Sequence, residues 1–189
     1  MMNRSKAFAI LKRHVTNEIV VSSYSSAFDW LAQGERDLNY FSHGAMGLGS
    51  SHGLGLALAR PERRVIVLDG DGSLLMNLGT LVTIAATAPK NLILLACQNE
   101  TYEANGGHPI PQARVIDFPG IAHSAGIAKS SSISDLAEFE RRVAGLLKEE
   151  GPVFVTLHVE QGAQVKRNYE DLYKPERRAA LRRELAKGP

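Results

Sequence analysis

The chain has 189 residues, of which 44% are hydrophobic and 22% are charged, a balance typical of one globular domain. A formal net charge of +2 is too small to indicate nucleic-acid binding, and the lone Cys97 excludes an intramolecular disulfide. The N-terminal segment lacks the long apolar region of a signal peptide, and no apolar run approaches the ~20 residues of a membrane span. We therefore expect a cytoplasmic protein whose residues 1–189 form a single domain.

Apolar runs that end at polar turns alternate with helical patterns along the chain. Helices are predicted, in order, over residues 4–14, 25–32, 48–59, 73–88, 117–125 and 134–149, with Ser134 as the N-cap of the last. Strands are predicted at residues 19–21, 65–68, 92–97 and 153–159. Continuous apolar strands are typical of a parallel sheet covered on both faces. The pattern predicts a doubly wound α/β fold, a mostly parallel sheet with helices on both faces.

The segment from Gly70 to Asn99 carries the strongest functional signal. A strand ends at Gly70-Asp71-Gly72-Ser73 and a helix follows, so that backbone N–H groups at the helix start favour a phosphate. The Asp71 carboxylate would repel that phosphate unless a cation lies between them, and Mg²⁺ prefers such oxygen ligands. Asn99 follows the next strand, 28 positions later, and would meet Asp71 at the same sheet edge. A backbone carbonyl just beyond Asn99 would supply a further oxygen.

Other interpretations of this turn are weaker. Glycine-rich turns follow strands in many α/β folds, so the Gly-Asp-Gly-Ser run alone is not specific. A calcium loop that starts at Asp69 would need glycine where Leu74 stands and glutamate where Thr80 stands. Neither a G-x-G-x-x-G fingerprint after a strand nor a G-K-[ST] motif is present. The pairing of Asp71 with Asn99 at this spacing makes the signal informative.

The segment GDGSLLMNLGTLVTIAATAPKNLILLACQNETYE resembles the diphosphate-binding motif of thiamine diphosphate enzymes. Upstream, His43-Gly44-Ala45-Met46-Gly47 is similar to the segment of that family that grips the aminopyrimidine ring. Downstream, residues 102–109 resemble the loop after the motif in phosphonopyruvate and sulfopyruvate decarboxylases. The resemblance extends from about Arg4 to about Val159 and implies thiamine diphosphate and Mg²⁺ as cofactors.

The resemblance also implies a role for each matching residue. Mg²⁺ would be bound by the side chains of Asp71 and Asn99 and by the carbonyl of Thr101. The diphosphate would accept hydrogen bonds from Gly72 and Ser73. The rest of the implied cofactor site comprises Gly44, whose carbonyl would accept from the pyrimidine amino group, Met46, the apolar wedge under the bent cofactor, and Ala45, Gly70 and Tyr102.

His43 and Glu103 are the candidate catalytic residues near the reacting end, because histidine and carboxylate groups commonly transfer protons. His108 is a third, weaker candidate; each of the three is alternatively an ordinary loop residue. The loop departs from the family pattern at His108, where glutamine is usual, at Gln98, where Asp or Asn is usual, and at Glu100, often glycine. These departures leave the cofactor site intact and make the substrate less certain than the cofactor.

The chain has room for only the diphosphate-binding domain, whereas the family activates the cofactor with a glutamate from a pyrimidine-binding domain. We therefore expect a partner subunit that supplies this glutamate, in a hetero-oligomer, and a homodimer or larger assembly when the chain is isolated. The predicted reaction is decarboxylation of a small anionic 2-oxo acid of the sulfopyruvate or phosphonopyruvate type. A carboligating enzyme like acetolactate synthase, or a non-catalytic cofactor-binding or regulatory module, is the alternative.

Residues 164–189 form a charged C-terminal tail with a few apolar members. A helix that covers a neighbouring surface of the same chain is the commonest explanation for such a segment. A subunit contact is the sharper hypothesis. Nucleic-acid binding is the weakest, because acidic residues interrupt the basic ones.

Overall fold

The fold is described from a computed structural model, which describes residues 1–43, 46–162 and 167–187. Its centre is a six-stranded sheet of order β2-β1-β3-β4-β8-β7, in which every neighbouring pair is parallel. The strands are β1 (Ile19–Ser23), β2 (Asn39–Ser42), β3 (Val65–Gly70), β4 (Leu92–Gln98), β7 (Lys129–Ile133) and β8 (Val153–His158). A separate antiparallel pair, β5 (Thr101–Tyr102) and β6 (His108–Pro109), follows β4. The prediction of a mostly parallel α/β sheet is confirmed.

Helices connect the strands. They are α1 (Arg4–Lys12), α2 (Tyr24–Leu31), α3 (Gly49–Ala59), α4 (Asp71–Leu75), α5 (Gly79–Thr87), α6 (Phe118–Ser124), α7 (Leu136–Leu146), α8 (Tyr169–Leu172) and α9 (Pro175–Ala186). Alternate residues of each central strand enter two separate apolar clusters, one on each face of the sheet: Ile66 and Leu68 on one, Val65 and Val67 on the other. Burial on both faces explains why the central strands are continuously apolar.

Two strands of the main sheet, β2 and β7, are absent from the sequence prediction. Both lie at the edges, where a strand has one neighbour and needs less apolar surface. The sequence of β7, Lys-Ser-Ser-Ser-Ile, is largely polar, and only Ile133 is buried. Edge strands of this composition lack the apolar run that identified the four central ones.

The helix predicted over residues 73–88 is wrong in detail, because α4 and α5 are separate helices. Between them, the Asn77 side-chain amide donates to the carbonyl oxygen of Gly47 at 3.0 Å and contacts Ser51 Oγ at 3.3 Å. The amides of Met76 and Asn77, directly after α4, bond three residues back instead of four, and the α-helix ends there. Asn77 thereby ties the segment after α4 to the segment that precedes α3.

The N-cap prediction for α7 is also wrong by one residue. Asp135, not Ser134, precedes the helix, and its carboxylate accepts a hydrogen bond from the Glu138 amide at 2.9 Å. The helix ends at Leu146, earlier than the predicted residue 149. Both residue types are good N-caps, so the sequence could not distinguish adjacent candidates.

The C-terminal helices α8 and α9 pack against the same chain. Leu172 is fully buried in the cluster on one face of the sheet, and Leu181 is 5% exposed in the cluster on the other. The tail therefore contributes to both apolar layers. Within the described residues, none of the helices is long and apolar enough to cross a membrane.

Candidate functional site

The site lies where β3 and β4 end, at the carboxyl edge of the parallel sheet. These two strands are neighbours, with Gly70 paired in register with Cys97. Asp71 begins α4 directly after β3, and Asn99 follows β4 directly. Both side chains are buried, at 1% and 6% exposure. The Glu100 amide, next to Asn99, donates to Asp71 Oδ2 at 2.7 Å and joins the two strand ends.

The Asp71 carboxylate lies in an environment that disfavours its charge. Burial raises the pKa of Asp71 to about 6, although backbone N–H donors, chiefly those of Gly72 and Glu100, act in the opposite direction. No ion pair to Asp71 occurs within the described part of the chain. A buried carboxylate without a cationic side chain is a suitable ligand for a bound cation, which would stabilise its ionised form.

Gly72 is held against an aromatic side chain. A Cβ atom at this position would lie 2.5 Å from Cδ1 of Tyr102, so only glycine fits under the ring. The Gly72 amide donates to Asp71 Oδ1 at 2.8 Å. Ser73, which is also buried, accepts a hydrogen bond from the Gly47 amide through its Oγ at 2.9 Å. The predicted phosphate-binding turn is therefore tightly packed on both sides.

Asn99 is fixed at both ends of its side-chain amide. Its Oδ1 accepts hydrogen bonds from the Thr101 amide at 3.0 Å and the Thr101 hydroxyl at 3.2 Å. Its Nδ2 donates to Glu103 Oε2 at 2.6 Å. Thr101 and Tyr102 form β5 and are half-buried. The loop after β4 thus places the predicted metal-binding residues Asn99 and Thr101 together at the strand end.

Glu103 is 4% exposed and paired with two arginines. Arg4 donates to both carboxylate oxygens at 3.0 Å, and Arg167 donates to Oε1 at 2.7 Å. Burial alone would raise the pKa of Glu103. The hydrogen bond from Arg4 and the charge of Arg4 outweigh this effect, with smaller contributions from Gly162 and Arg167, so that the pKa is lowered overall. This arrangement differs from the predicted catalytic role, since a carboxylate held ionised by two guanidinium groups is poorly suited to proton exchange.

The segment predicted to grip the pyrimidine ring is described only in part. Gly44 and Ala45 lie outside the described residues. Met46 is half-buried and lines a cleft together with Gly70, Asp71 and Gly72. The residue predicted as the apolar wedge and the turn predicted to bind the diphosphate therefore line the same cleft.

His43 and His108 are both exposed and do not line this cleft. His43 follows β2, and its ring packs edge-on against Tyr173 of the tail, with centroids 4.2 Å apart. The Tyr173 hydroxyl also donates to the carbonyl oxygen of Ser42 at 3.2 Å. Tyr24 lines both the cleft and an adjoining pocket that contains His43, so the histidine lies beside the cleft.

Several residues of the site were absent from the sequence prediction. Tyr24 adopts a positive φ of 44° at the end of β1, a strained conformation that often marks a functional site. Asp69 is buried and accepts a hydrogen bond from Ser23 Oγ at 2.5 Å, and burial raises the pKa of its carboxyl. Arg4, in the first helix, carried no signal because its partner Glu103 is 99 positions away.

A parallel α/β sheet with a glycine turn, a buried aspartate and a helix start at its carboxyl edge defines a domain of the phosphate-binding type. Residues 21–157 match the family model described as "Thiamine pyrophosphate enzyme, C-terminal TPP binding domain". The chain belongs to this family.

Two groups of sequence relatives stand out. The chain is 47% identical over 124 residues to sulfopyruvate decarboxylase subunit beta of Methanothermobacter thermautotrophicus, covering 66% of this chain and 63% of that one. It is 40% identical over 150 residues to the same subunit of Methanocaldococcus jannaschii, covering 77% and 79%. Phosphonopyruvate decarboxylase of Streptomyces hygroscopicus is 38% identical over 129 residues, 68% of this chain but only 32% of that protein.

Among solved structures, the thiamine diphosphate-dependent 4-hydroxybenzoylformate decarboxylase of Rhodococcus jostii RHA1 superposes with a TM-score of 0.72 at 22% identity. The match covers 85% of this chain and 33% of that one. This structural similarity supports the α/β fold described above. The chain spans only about a third of the length of these longer decarboxylases.

Proposed function

We propose that this chain is the diphosphate-binding subunit of a split thiamine diphosphate-dependent decarboxylase acting on a sulfopyruvate- or phosphonopyruvate-type 2-oxo acid. The relatives at 38–47% identity carry those names, and two of them are beta subunits. We favour decarboxylation over carboligation for this reason. The decarboxylase names of these relatives also disfavour the non-catalytic cofactor-binding or regulatory alternative.

One observation carries the proposal. Asp71 and Asn99 are both buried at the carboxyl ends of adjacent parallel strands, and the Glu100 amide joins their loops. Elsewhere in proteins a buried aspartate is usually paired with a cationic side chain. Here no cationic side chain among the described residues pairs with the carboxylate, which lines a cleft beside a glycine turn, as a metal–phosphate site requires.

The described residues fit Mg²⁺ with thiamine diphosphate. The Asp71 oxygens accept the backbone N–H groups of Gly72 and Glu100 and retain capacity for a cation. The Asn99 oxygen accepts from the Thr101 amide and, at 3.2 Å, from the Thr101 hydroxyl, so a cation would take the place of that hydroxyl. The Thr101 carbonyl would be the third protein ligand. No cluster of three or more His, Cys, Asp or Glu side chains occurs among the described residues, so a zinc-like site has no support. When bound, thiamine diphosphate supplies the electron sink for the pair released as CO₂ leaves.

This chain's residues would bind and orient the cofactor. Gly72 and Ser73 would hold the diphosphate, Met46 and Tyr102 would wall the cleft, and His43 beside the cleft is the proposed proton-transfer residue. These roles follow from position: the first four line the cleft, and His43 shares a neighbouring pocket with Tyr24.

A partner subunit is part of the proposal. Among the described residues that line the cleft, Glu103 is the one glutamate, and Arg4 and Arg167 hold it. The glutamate that activates the cofactor would therefore come from another chain with a pyrimidine-binding domain. The beta-subunit names of the archaeal relatives support such a division.

Calorimetry with thiamine diphosphate and Mg²⁺, with and without the partner, tests the site. We expect Asp71→Ala to abolish measurable binding. Asp117→Ala is the matched control, because Asp117 is an aspartate at the start of another helix but is exposed and lies outside the cleft. If the Asp71 variant binds as tightly as the wild type, the assignment of the cleft is wrong.

The substrate is tested separately with the reconstituted pair. We expect sulfopyruvate or phosphonopyruvate to be decarboxylated in preference to pyruvate, since the relatives are named for those two acids. Equal turnover of the three acids would contradict this substrate class, and formation of an acetolactate-type product would favour carboligation.

A further inference from the structure

We propose that Glu103 is a positioning residue that orients the side-chain amide of Asn99 so that its oxygen faces the metal. This inference rests on the proposed function, since it concerns the same Mg²⁺ site. It replaces proton transfer as the role of Glu103.

The first step is the chemistry of the amide. An asparagine side chain has a donor end and an acceptor end of nearly equal size, so rotation by 180° exchanges oxygen for NH₂. A hard cation binds the oxygen and is repelled by the N–H donors. The Glu103 carboxylate, which can only accept, lies 2.6 Å from Asn99 Nδ2 and disfavours the reversed orientation, as does the Thr101 amide that donates to Asn99 Oδ1 at 3.0 Å.

The second step is the fixing of Glu103 itself. Both of its oxygens accept from Arg4 at 3.0 Å, Oε1 also accepts from Arg167 at 2.7 Å, and the Gly162 amide approaches Oε2 at 3.3 Å. Arg4 is 7% exposed and also donates from Nε to Asp29 at 2.6 Å. Among the described residues, two carboxylates and two guanidinium groups thus form a cluster behind the metal loop.

The third step is the arrangement of the N–H donors around Glu103. Because both carboxylate oxygens face donors, the amide of a glutamine cannot replace the carboxylate. Oε1 faces N–H groups of Arg4 and Arg167, and Oε2 faces those of Arg4 and Asn99. A glutamine at this position must direct its NH₂ at one of those sets of donors. Turning it toward Asn99 forces the Asn99 amide to reverse and withdraws its oxygen from the metal.

The test measures Mn²⁺ affinity by electron paramagnetic resonance in the presence of thiamine diphosphate, with thermal unfolding measured in parallel. We expect Glu103→Gln to weaken Mn²⁺ binding by about 10- to 100-fold, the usual effect of losing a residue that orients a metal ligand. The matched control is Asp29→Asn, which removes a carboxylate from the same Arg4 without touching Asn99. We expect it to lower the unfolding temperature while Mn²⁺ affinity stays within about twofold.

A reciprocal exchange gives a sharper readout. Asn99→Asp alone places two carboxylates in contact and should weaken Mn²⁺ binding, although aspartate is itself a good metal ligand. In the Asn99→Asp, Glu103→Gln double variant, the new amide donates to the new carboxylate. We expect the double variant to bind Mn²⁺ more tightly than either single variant, which a merely structural ion pair does not predict.

Each outcome decides between the hypotheses. If Glu103→Gln binds Mn²⁺ like Asp29→Asn, or if the double variant shows no recovery, Glu103 is only a structural residue and the inference fails. If Glu103→Gln does not fold, Arg167→Met removes one partner at the edge of the cluster, and unchanged Mn²⁺ affinity in that variant overturns the inference. If the wild type does not bind Mn²⁺, or Asp71→Asn binds it normally, the proposed metal site itself is wrong.

Discussion

At the scale of single residues, Asp71 combines a cost in stability with the proposed function. Its carboxylate is buried at 1% exposure without a cationic side chain among the described residues, and burial raises the pKa to about 6. A residue that resists ionisation in the unliganded protein gains most from a bound cation. The site therefore stores unfavourable electrostatic free energy that cofactor binding would release.

This cost predicts a pH dependence for the chain without metal. Because the folded-state pKa of Asp71 is raised above the usual 3.8, folding stability contributed by this group is present below pH ~4 and is lost as the pH rises to ~6. A difference of about two between the pKa values of the folded and unfolded states corresponds to at most about 3 kcal/mol of folding free energy. We expect the stability of Asp71→Asn relative to the wild type to increase between pH 4 and pH 8.

Urea unfolding of both proteins in a metal chelator, at several pH values, measures this difference. Other buried carboxyls such as Asp69 are common to both proteins, so their contributions to the pH dependence largely cancel in the stability difference. A stability difference that does not change with pH would show that Asp71 is as easily ionised as an exposed aspartate.

Gly72 provides a steric prediction. We expect Gly72→Ala to lower the free energy of unfolding by about 1–3 kcal/mol, because its Cβ would lie 2.5 Å from the Tyr102 ring. Gly79→Ala is the control, since no atom lies within 4 Å of a Cβ at that position and alanine favours the helix by up to ~1 kcal/mol. Chemical denaturation compares the two, and equal stabilities would mean that the Tyr102 ring moves aside freely.

At the scale of secondary-structure elements, the sequence predicted the interior better than the edges. The four central strands were identified because burial on both faces requires continuous apolar runs, such as Val65 to Leu68. Strands β2 and β7 were missed because they lie at the sheet edges and are partly polar. The break between α4 and α5 was missed because it depends on a contact between Asn77 and Gly47, 30 residues apart.

The same distinction applies to the site. Asp71 and Asn99 were predicted because each directly follows a recognisable strand. The pairing of Glu103 with Arg4 and Arg167 was not, because it joins residues 99 and 64 positions apart. No local pattern encodes such contacts, so the sequence indicated Glu103 as a candidate but not what it contacts.

The start of α7 allows a direct test at this scale. Asp135 accepts from the Glu138 amide, whereas Ser134 is exposed and outside the helix. We expect Asp135→Ala to destabilise the protein by about 1 kcal/mol and Ser134→Ala to have an effect within about 0.5 kcal/mol. Thermal or urea unfolding of the two variants gives the answer, and the reverse order would place the N-cap at Ser134.

At the scale of the whole molecule, the C-terminal segment belongs to the domain core. Leu172 is fully buried, whereas Leu58 in α3 is 54% exposed. We expect Leu172→Ala to cost about 2–5 kcal/mol through lost packing. Leu58→Ala should change stability by no more than about 0.5 kcal/mol.

Differential scanning calorimetry of these two variants separates a tail that folds on its own chain from one that folds only on a partner. A Leu172 variant as stable as the Leu58 variant would indicate that α8 is detached from the core in solution.

The pairing of Glu103 with both Arg4 and Arg167 has a consequence for biosynthesis. Arg4 is synthesised long before Glu103, but Arg167 is synthesised 64 residues after Glu103. At ~5–20 residues per second, several seconds pass between the synthesis of the loop that carries Asn99 and the synthesis of Arg167, the later of the two arginines that bind Glu103. Metal capture by the nascent chain would thus be delayed until the sheet behind the loop is complete.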